Sequence, residues 1–171
     1  VFDSSFALLG ADRIGKVHAR TIGSNPQAKR VAVADAFEKA AIELATAYRA
    51  EVRSIDAIEK AKDIDAVVIC TPTDTHADLI ERFANAGKAI FCEKPIDLTL
   101  ARIDAALAGV ARAGTKLQGG FNRRFDASYR RGQAAGGQGG IGRAWRLPPL
   151  SRRPSAPPPA PHNRSGRPVL C

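Results

Sequence analysis

Four short runs in this chain carry side chains or turns with chemistry to do. They are Gly10-Ala11-Asp12-Arg13-Ile14-Gly15, the single acid Asp35, Thr71-Pro72-Thr73-Asp74-Thr75-His76, and Cys92-Glu93-Lys94-Pro95. The first has glycine at the outer positions of the G-x-G-x-x-G fingerprint and Asp12 at its middle position. Gly10 permits a tight turn, and Gly15 lets a helix pack closely on a strand. The start of that helix offers unpaired N–H groups and a positive dipole end to a pyrophosphate. A glycine at position 12 would let the backbone approach the phosphates, so Asp12, with its bulk and charge, predicts weakened dinucleotide binding and no change of ligand.

Asp35 lies twenty residues after Gly15, at the end of an apolar run. An acid there accepts hydrogen bonds from the adenine-ribose diol and disfavours a 2′-phosphate, which predicts NAD over NADP. It also suits the N-cap of a helix beginning at Ala36, and the two roles are compatible. The Thr71–His76 run follows a strong strand and is placed to line a cofactor cleft. Equally, it reads as a helix start capped by Thr73 or Asp74, with His76 a surface or capping histidine. Lys94 could project into the same cleft and favour deprotonation of a substrate hydroxyl. On residue type alone, an exposed loop lysine explains it as well. Pro95 could take a cis bond and fix a tight turn. No metal-ligand set is expected.

The elements that must position these residues alternate. Ser5–Leu9 reads as a buried strand, Val31–Ala34 as a second, and Glu51–Arg53 as a short third. Ala66–Cys70 is continuous and β-branched, as expected of a strand covered on both faces. Ala89–Cys92 and Lys116–Phe121 follow. Between them lie helical patterns from Lys16 to Ile22, Ala36 to Tyr48 (buried stripe Ile42, Leu44, Ala45, Tyr48), Asp56 to Lys60, Asp74 to Ala86 (Leu79, Ile80 and Phe83 inward) and Leu98 to Ala113, the last stopped by Gly114. Strands spaced by such helices predict right-handed βαβ units, hence an α/β fold with a doubly wound parallel Rossmann sheet.

Composition separates two regions. The chain has 171 residues and a net charge of +9. No acidic residue follows Asp126, and eight arginines do, so residues 1–126 carry only +1. Eight of the eleven prolines lie at or after Pro148. This predicts a folded domain over 1–126 and an Arg/Pro-rich low-complexity tail over 127–171, disordered or extended. The arginines are scattered among prolines, and Trp145 alone could stack on a base, so nucleic acid is not the expected partner. No run spans a bilayer and no signal peptide opens the sequence, so the expected compartment is the cytoplasm and no membrane is expected as partner. Cys70, Cys92 and Cys171 predict no disulfide framework; Cys70 and Cys92 read as small buried strand residues.

Taken together, Phe6–Ala11, Arg13–Arg20, Ala34-Asp35, Thr71–His76, Glu93-Lys94-Pro95 and Gly120-Phe121-Asn122-Arg123-Arg124-Phe125-Asp126 resemble the Gfo/Idh/MocA oxidoreductase family, and within it the inositol dehydrogenases of bacteria. The resemblance covers about residues 5–131. It implies NAD-dependent oxidation of a secondary alcohol of a polyol or sugar, such as myo-inositol to its 2-keto form, by hydride transfer. It implies Lys94 as the active-site lysine, and cofactor contacts from Gly10, Asp12, Arg13, Ile14 and Gly15 with Asp35 at the ribose. It places Thr71, Pro72 and His76 near the nicotinamide end with Glu93 beside them, and Asn122 and Arg123 on the substrate side. It also implies a homo-oligomer.

Asp12 departs from the family's glycine. The family's second, α+β domain, which supplies an aspartate and a general-base histidine, has no counterpart after Asp126. The abrupt switch to Arg, Pro, Gly and Ala is what a high-GC gene read out of frame would give. The expectation is therefore an impaired enzyme, prone to association through uncovered apolar surface, or a dinucleotide-binding module without catalysis.

Overall fold

The computed structural model describes residues 4–137, in two compact units that divide between Asn122 and Arg123. The first unit runs β1 (Ser4–Leu9), α1 (Arg13–Ser24), β2 (Ala28–Ala34), α2 (Glu38–Tyr48), β3 (Glu51–Val52), α3 (Ile55–Lys60), β4 (Ala66–Ile69), α4 (His76–Asn85), β5 (Ala89–Cys92), α5 (Leu100–Ala113) and β6 (Leu117–Gly119). All neighbouring strands pair in parallel, in the order β3-β2-β1-β4-β5-β6. This is the strand order of the doubly wound dinucleotide-binding sheet, whose switch point lies between β1 and β4.

Alternation along each strand sends side chains to opposite faces, and both faces are covered. Ala7 and Leu9 of β1, Val67 and Ile69 of β4, and Ile90 and Cys92 of β5 pack with Ile58, Ile80, Phe83, Ala106 and Val110 from α3, α4 and α5. Leu8, Val33 and Val68 face the other way, onto Ala19 of α1 and Ala41, Leu44 and Ala45 of α2. Leu79, Ile80 and Phe83 are buried as expected, but Ile42 is 48% exposed and does not belong to the stripe of α2. Leu44 and Ala45 supply that face, with Tyr48 packed at its margin.

Caps and charge pairs set the element ends. Ser54 caps α3 through Ala57 N–H (3.1 Å), and Thr99 caps α5 through Arg102 N–H (3.4 Å). Gly114 closes α5 at φ +65°, and Gly87 turns the chain out of α4 at φ +73°. Arg82 of α4 pairs with Asp56 and Glu59 of α3, and Arg102 of α5 with Asp78 and Glu81 of α4. Lys88 is buried at 6% exposure; its Nζ donates to the carbonyls of Ala61 (2.6 Å) and Ile64 (2.9 Å), which satisfies it without an acid.

The second unit contributes α6 (Ala127–Gly137). This corrects the expected tail at its start: Asp126 Oδ1 accepts from Ser128 N–H (2.8 Å) and Tyr129 N–H (3.3 Å), and that cap begins a helix where low complexity predicted none. The rest of the tail expectation falls on 138–171, outside the described residues, as do Cys171 and Trp145. Among the described residues no helix is long and apolar enough to cross a membrane.

Candidate dinucleotide site

Strand register builds the site. Leu9 pairs with Ala34 and with Ile69, Ile69 with Cys92, and Cys92 with Gly119, so these residues form one row across the sheet. The hydrogen bonds continue one step further: Gly10 N–H to Ala34 O (2.8 Å), Cys70 N–H to Leu9 O (2.7 Å), Glu93 N–H to Ile69 O (3.0 Å) and Gly120 N–H to Cys92 O (2.8 Å). The glycine turn, Asp35, Thr71-Pro72, Glu93-Lys94-Pro95 and Gly120-Phe121-Asn122 therefore all leave the sheet along its carboxyl edge. In open α/β sheets that edge is where ligands bind.

The glycine turn is made by contacts that no side chain could survive. Gly10 sits at φ +98°, and a Cβ there would lie 2.6 Å from the Cys70 carbonyl oxygen. A Cβ on Gly15 would lie 2.0 Å from the Gly10 carbonyl oxygen. Between them Asp12 is the N-cap residue of α1 at φ −76°, with no capping hydrogen bond from its side chain. Its backbone is thus ordinary for any residue, and only its exposed carboxylate stands at the helix mouth. Arg13 and Ile14 are exposed beside it, in the first turn of α1, whose N–H groups have no intrahelical partner. A backbone cradle with room only for hydrogens and a ring of free donors fits a pyrophosphate.

Asp35 is already engaged. Its Oδ2 accepts from Ala11 N–H (2.6 Å) and its Oδ1 from Phe37 N–H (2.7 Å). One carboxylate thereby ties the glycine turn to the end of β2. Each oxygen retains a lone pair for a hydroxyl. The Phe37 bond also delays the helix: α2 begins at Glu38 with Phe37 at its N-cap, and not at Ala36.

The Thr71–His76 run departs from the capped-helix expectation. Thr73–Thr75 is a 3₁₀ turn, and α4 begins at His76 with no side-chain cap from Thr73 or Asp74. Thr75 Oγ1 donates to Pro72 O (2.7 Å) and lies 2.7 Å from Thr71 Oγ1, which folds the loop on itself. His76 is neither a surface nor a capping residue, for it is 2% exposed. Its Nδ1 lies 2.8 Å from Pro95 O and its Nε2 2.8 Å from Thr71 O. The buried ring ties the Thr71 loop to Pro95, while Thr71 is half-buried and Pro72 exposed.

The Lys94–Pro95 bond is cis. Glu93 turns inward: Oε1 lies 2.7 Å from His18 Nε2, and Oε2 accepts from Lys94 N–H (3.1 Å). A Cβ on Gly120 would come within 3.1 Å of Glu93 Oε2, so glycine there leaves the carboxylate its room. His18 leans on Phe91, ring centroids 5.0 Å apart. Motif reading missed His18, although its spacing on α1 (three residues after Gly15) put it on the sheet-facing side of the helix. Lys94 itself is exposed, and its Nζ makes no hydrogen bond or ion pair among the described residues.

Cys70 and Cys92 are buried at 5% and 0% exposure, as expected. Burial, with the Glu93 charge nearby, pushes both thiols up to about 12. They are packing groups, not nucleophiles. Asn122 is exposed at the end of the first unit. Arg123 opens the second, where its guanidinium lies 5.0 Å from the centroid of the Tyr129 ring. Among the described residues no cluster of His, Cys, Asp and Glu could hold a metal ion.

Comparison with known proteins gives these features a context. The inositol 2-dehydrogenase of Rhizobium meliloti (strain 1021) is 60% identical over 161 residues, which cover 94% of this chain and 49% of that protein. The myo-inositol 2-dehydrogenase of Thermotoga maritima is 36% identical over 153 residues, covering 88% and 46%. The crystal structure of scyllo-inositol dehydrogenase from Lactobacillus casei, with bound NAD(H) and scyllo-inositol, superposes with a TM-score of 0.75 at 34% identity, covering 81% of this chain and 42% of that one. The chain thus spans about half the length of the relatives it matches. The family model described as the oxidoreductase family with NAD-binding Rossmann fold matches residues 4–121. On the strand order, the glycine cradle and this match, the chain belongs to the Gfo/Idh/MocA oxidoreductase family.

Proposed function

We propose that this chain carries the cofactor half of an NAD-dependent dehydrogenase that oxidises a secondary alcohol of a polyol ring, of the kind that turns myo-inositol into its 2-keto form. The observation that carries this reading is the convergence at one sheet edge of a glycine turn closed to any side chain, an acid at the end of β2 and a lysine unpaired among the described residues. Bound there, NAD supplies the hydride acceptor.

The chain's own residues would divide the remaining work. Gly10, Arg13, Ile14 and Gly15 receive the pyrophosphate at the start of α1, with Asp12 opposing it. Asp35 takes the ribose hydroxyls and its charge repels a 2′-phosphate. Thr71 and Pro72 form the wall toward the nicotinamide, with His76 and Glu93 supporting it from below. Lys94 Nζ donates to the substrate hydroxyl oxygen and favours loss of its proton. Asn122 is the substrate-side candidate of the first unit and Arg123 that of the second.

A second reading is favoured by the two described histidines. His18 is committed to Glu93 and His76 to two carbonyls, so neither ring is free to take a substrate proton. On that reading the chain binds a dinucleotide and does not turn over. The deciding experiment incubates the full chain with NAD and myo-inositol and follows the absorbance of the reduced nicotinamide, with Lys94→Ala alongside. Turnover that disappears in Lys94→Ala supports the dehydrogenase. NAD binding without turnover selects the binding module, and absence of both overturns the dinucleotide assignment.

A further inference from the structure

We propose that His18 and His76 are positioning residues that clamp the Glu93-Lys94-Pro95 segment from its two sides and so fix where Lys94 emerges; this rests on the reading of Lys94 given above. On one side, His18 Nε2 is 2.7 Å from Glu93 Oε1, while Glu93 Oε2 accepts from the Lys94 N–H at 3.1 Å. The imidazole therefore acts on the lysine backbone through one carboxylate. Phe91 on β5 packs against the ring of His18, centroids 5.0 Å apart, and Gly120, by lacking a Cβ, leaves the Glu93 carboxylate its place beside that ring. On the other side, His76 Nδ1 is 2.8 Å from Pro95 O, and its Nε2 is 2.8 Å from Thr71 O. This ring joins the loop after β4 to the loop after β5, at 2% exposure.

Donor arithmetic makes the two histidines different. Both partners of His76 are carbonyl oxygens, which only accept, and they belong to two different loops. Glu93 needs a single N–H from His18. A glutamine places one donor nitrogen and one acceptor oxygen at its end. At position 18 that donor can replace Nε2. At position 76 its oxygen would confront a carbonyl, leaving one of the two loops unheld.

The test uses the full chain. His18→Gln is expected to keep the amide signals of Glu93, Lys94 and Ile96, and the rate at which a mild acylating reagent labels Lys94, at wild-type values. His18→Ala and His76→Gln are expected to shift those amides and change the labelling rate severalfold, in samples whose thermal melts confirm folding. A merely structural role would move the melts and leave the glutamine asymmetry absent. Equal behaviour of His18→Gln and His18→Ala overturns the proposal. If His76→Gln does not fold, the two His18 variants still decide it. None of them depends on NAD, so failure of the clamp and failure of the cofactor reading are told apart by a parallel NAD titration.

Discussion

Gly15→Ala sets two physical effects of opposite sign against each other. Gly15 is the third residue of α1, and in an unobstructed helix alanine is favoured over glycine by about 1 kcal/mol. Propensity alone therefore predicts a small gain in stability. The structure predicts a loss, because the new Cβ would stand 2.0 Å from the Gly10 carbonyl oxygen and 2.9 Å from its carbon. Ordinary van der Waals contact requires a separation larger by at least roughly 1.4 Å, and both obstructing atoms are backbone. Gly10 has little room to retreat, since the Cys70 carbonyl oxygen stands 2.6 Å from where a Gly10 Cβ would lie. Either α1 lifts from the sheet or the turn distorts. Overpacking of this kind costs about 1–3 kcal/mol, which exceeds the propensity gain. A shift of about 1 Å in the cradle also costs up to about a hundredfold in productive positioning. The assay is a thermal melt of wild type and variant, paired with an NAD titration. A lower melting temperature with loss of NAD binding is expected. An unchanged or raised melting temperature would refute the close-packing argument for Gly15.

Asp12→Gly is expected to tighten NAD binding modestly, by roughly two- to fivefold, because an exposed charge is screened to about 1 kcal/mol or less; calorimetry on the two proteins checks it, and an unchanged dissociation constant contradicts it. Cys70 and Cys92 are expected to resist alkylation in the folded chain at mildly alkaline pH, read site by site by mass spectrometry, since their thiols are pushed up to about 12. The same shift makes stability fall as pH rises from the ordinary value of 9.0 toward about 12, because the unfolded thiols ionise there and the folded ones do not. Phe83→Ala, at a residue with 0% exposure in the core beneath α4, is expected to cost about 3–5 kcal/mol by chemical denaturation.

How much of this was legible in the sequence depended on the range of the interaction. Ala66–Ile69 announced itself because a strand buried on both faces must be apolar at every position. The Gly10 turn was legible because a positive φ next to a strand end selects glycine. Helix starts were less so. Asp74 suggested a cap, but the Thr71–Thr75 hydroxyls closed a 3₁₀ turn first and moved the start of α4 to His76. Asp35 was found, but its grip on Ala11 N–H joins residues 24 apart, and no local pattern reports such a bond. His18 and Glu93 are 75 residues apart. Their pairing follows only from the register of β1, β4 and β5, so His18 appeared only as a member of a motif and Glu93 only as a cofactor-side residue, not as its partner. Lys88 gave no signal either, because carbonyls at the end of α3 and before β4 satisfy it in place of an acid. The extent of regular structure after Asp126 was underestimated, since the Asp126 cap outweighs the poor composition of α6.

On the proposed reading, the carboxyl edge of this sheet binds NAD through the glycine turn and Asp35. The decisive measurement is calorimetric titration of the full chain with NAD and with NADP, on wild type and on Asp35→Asn. Saturable binding of one NAD per chain is expected, with weaker binding of NADP, and with loss of that preference together with weaker NAD binding in Asp35→Asn. No saturable heat with NAD, or equal affinity for both dinucleotides in the wild type, would contradict it.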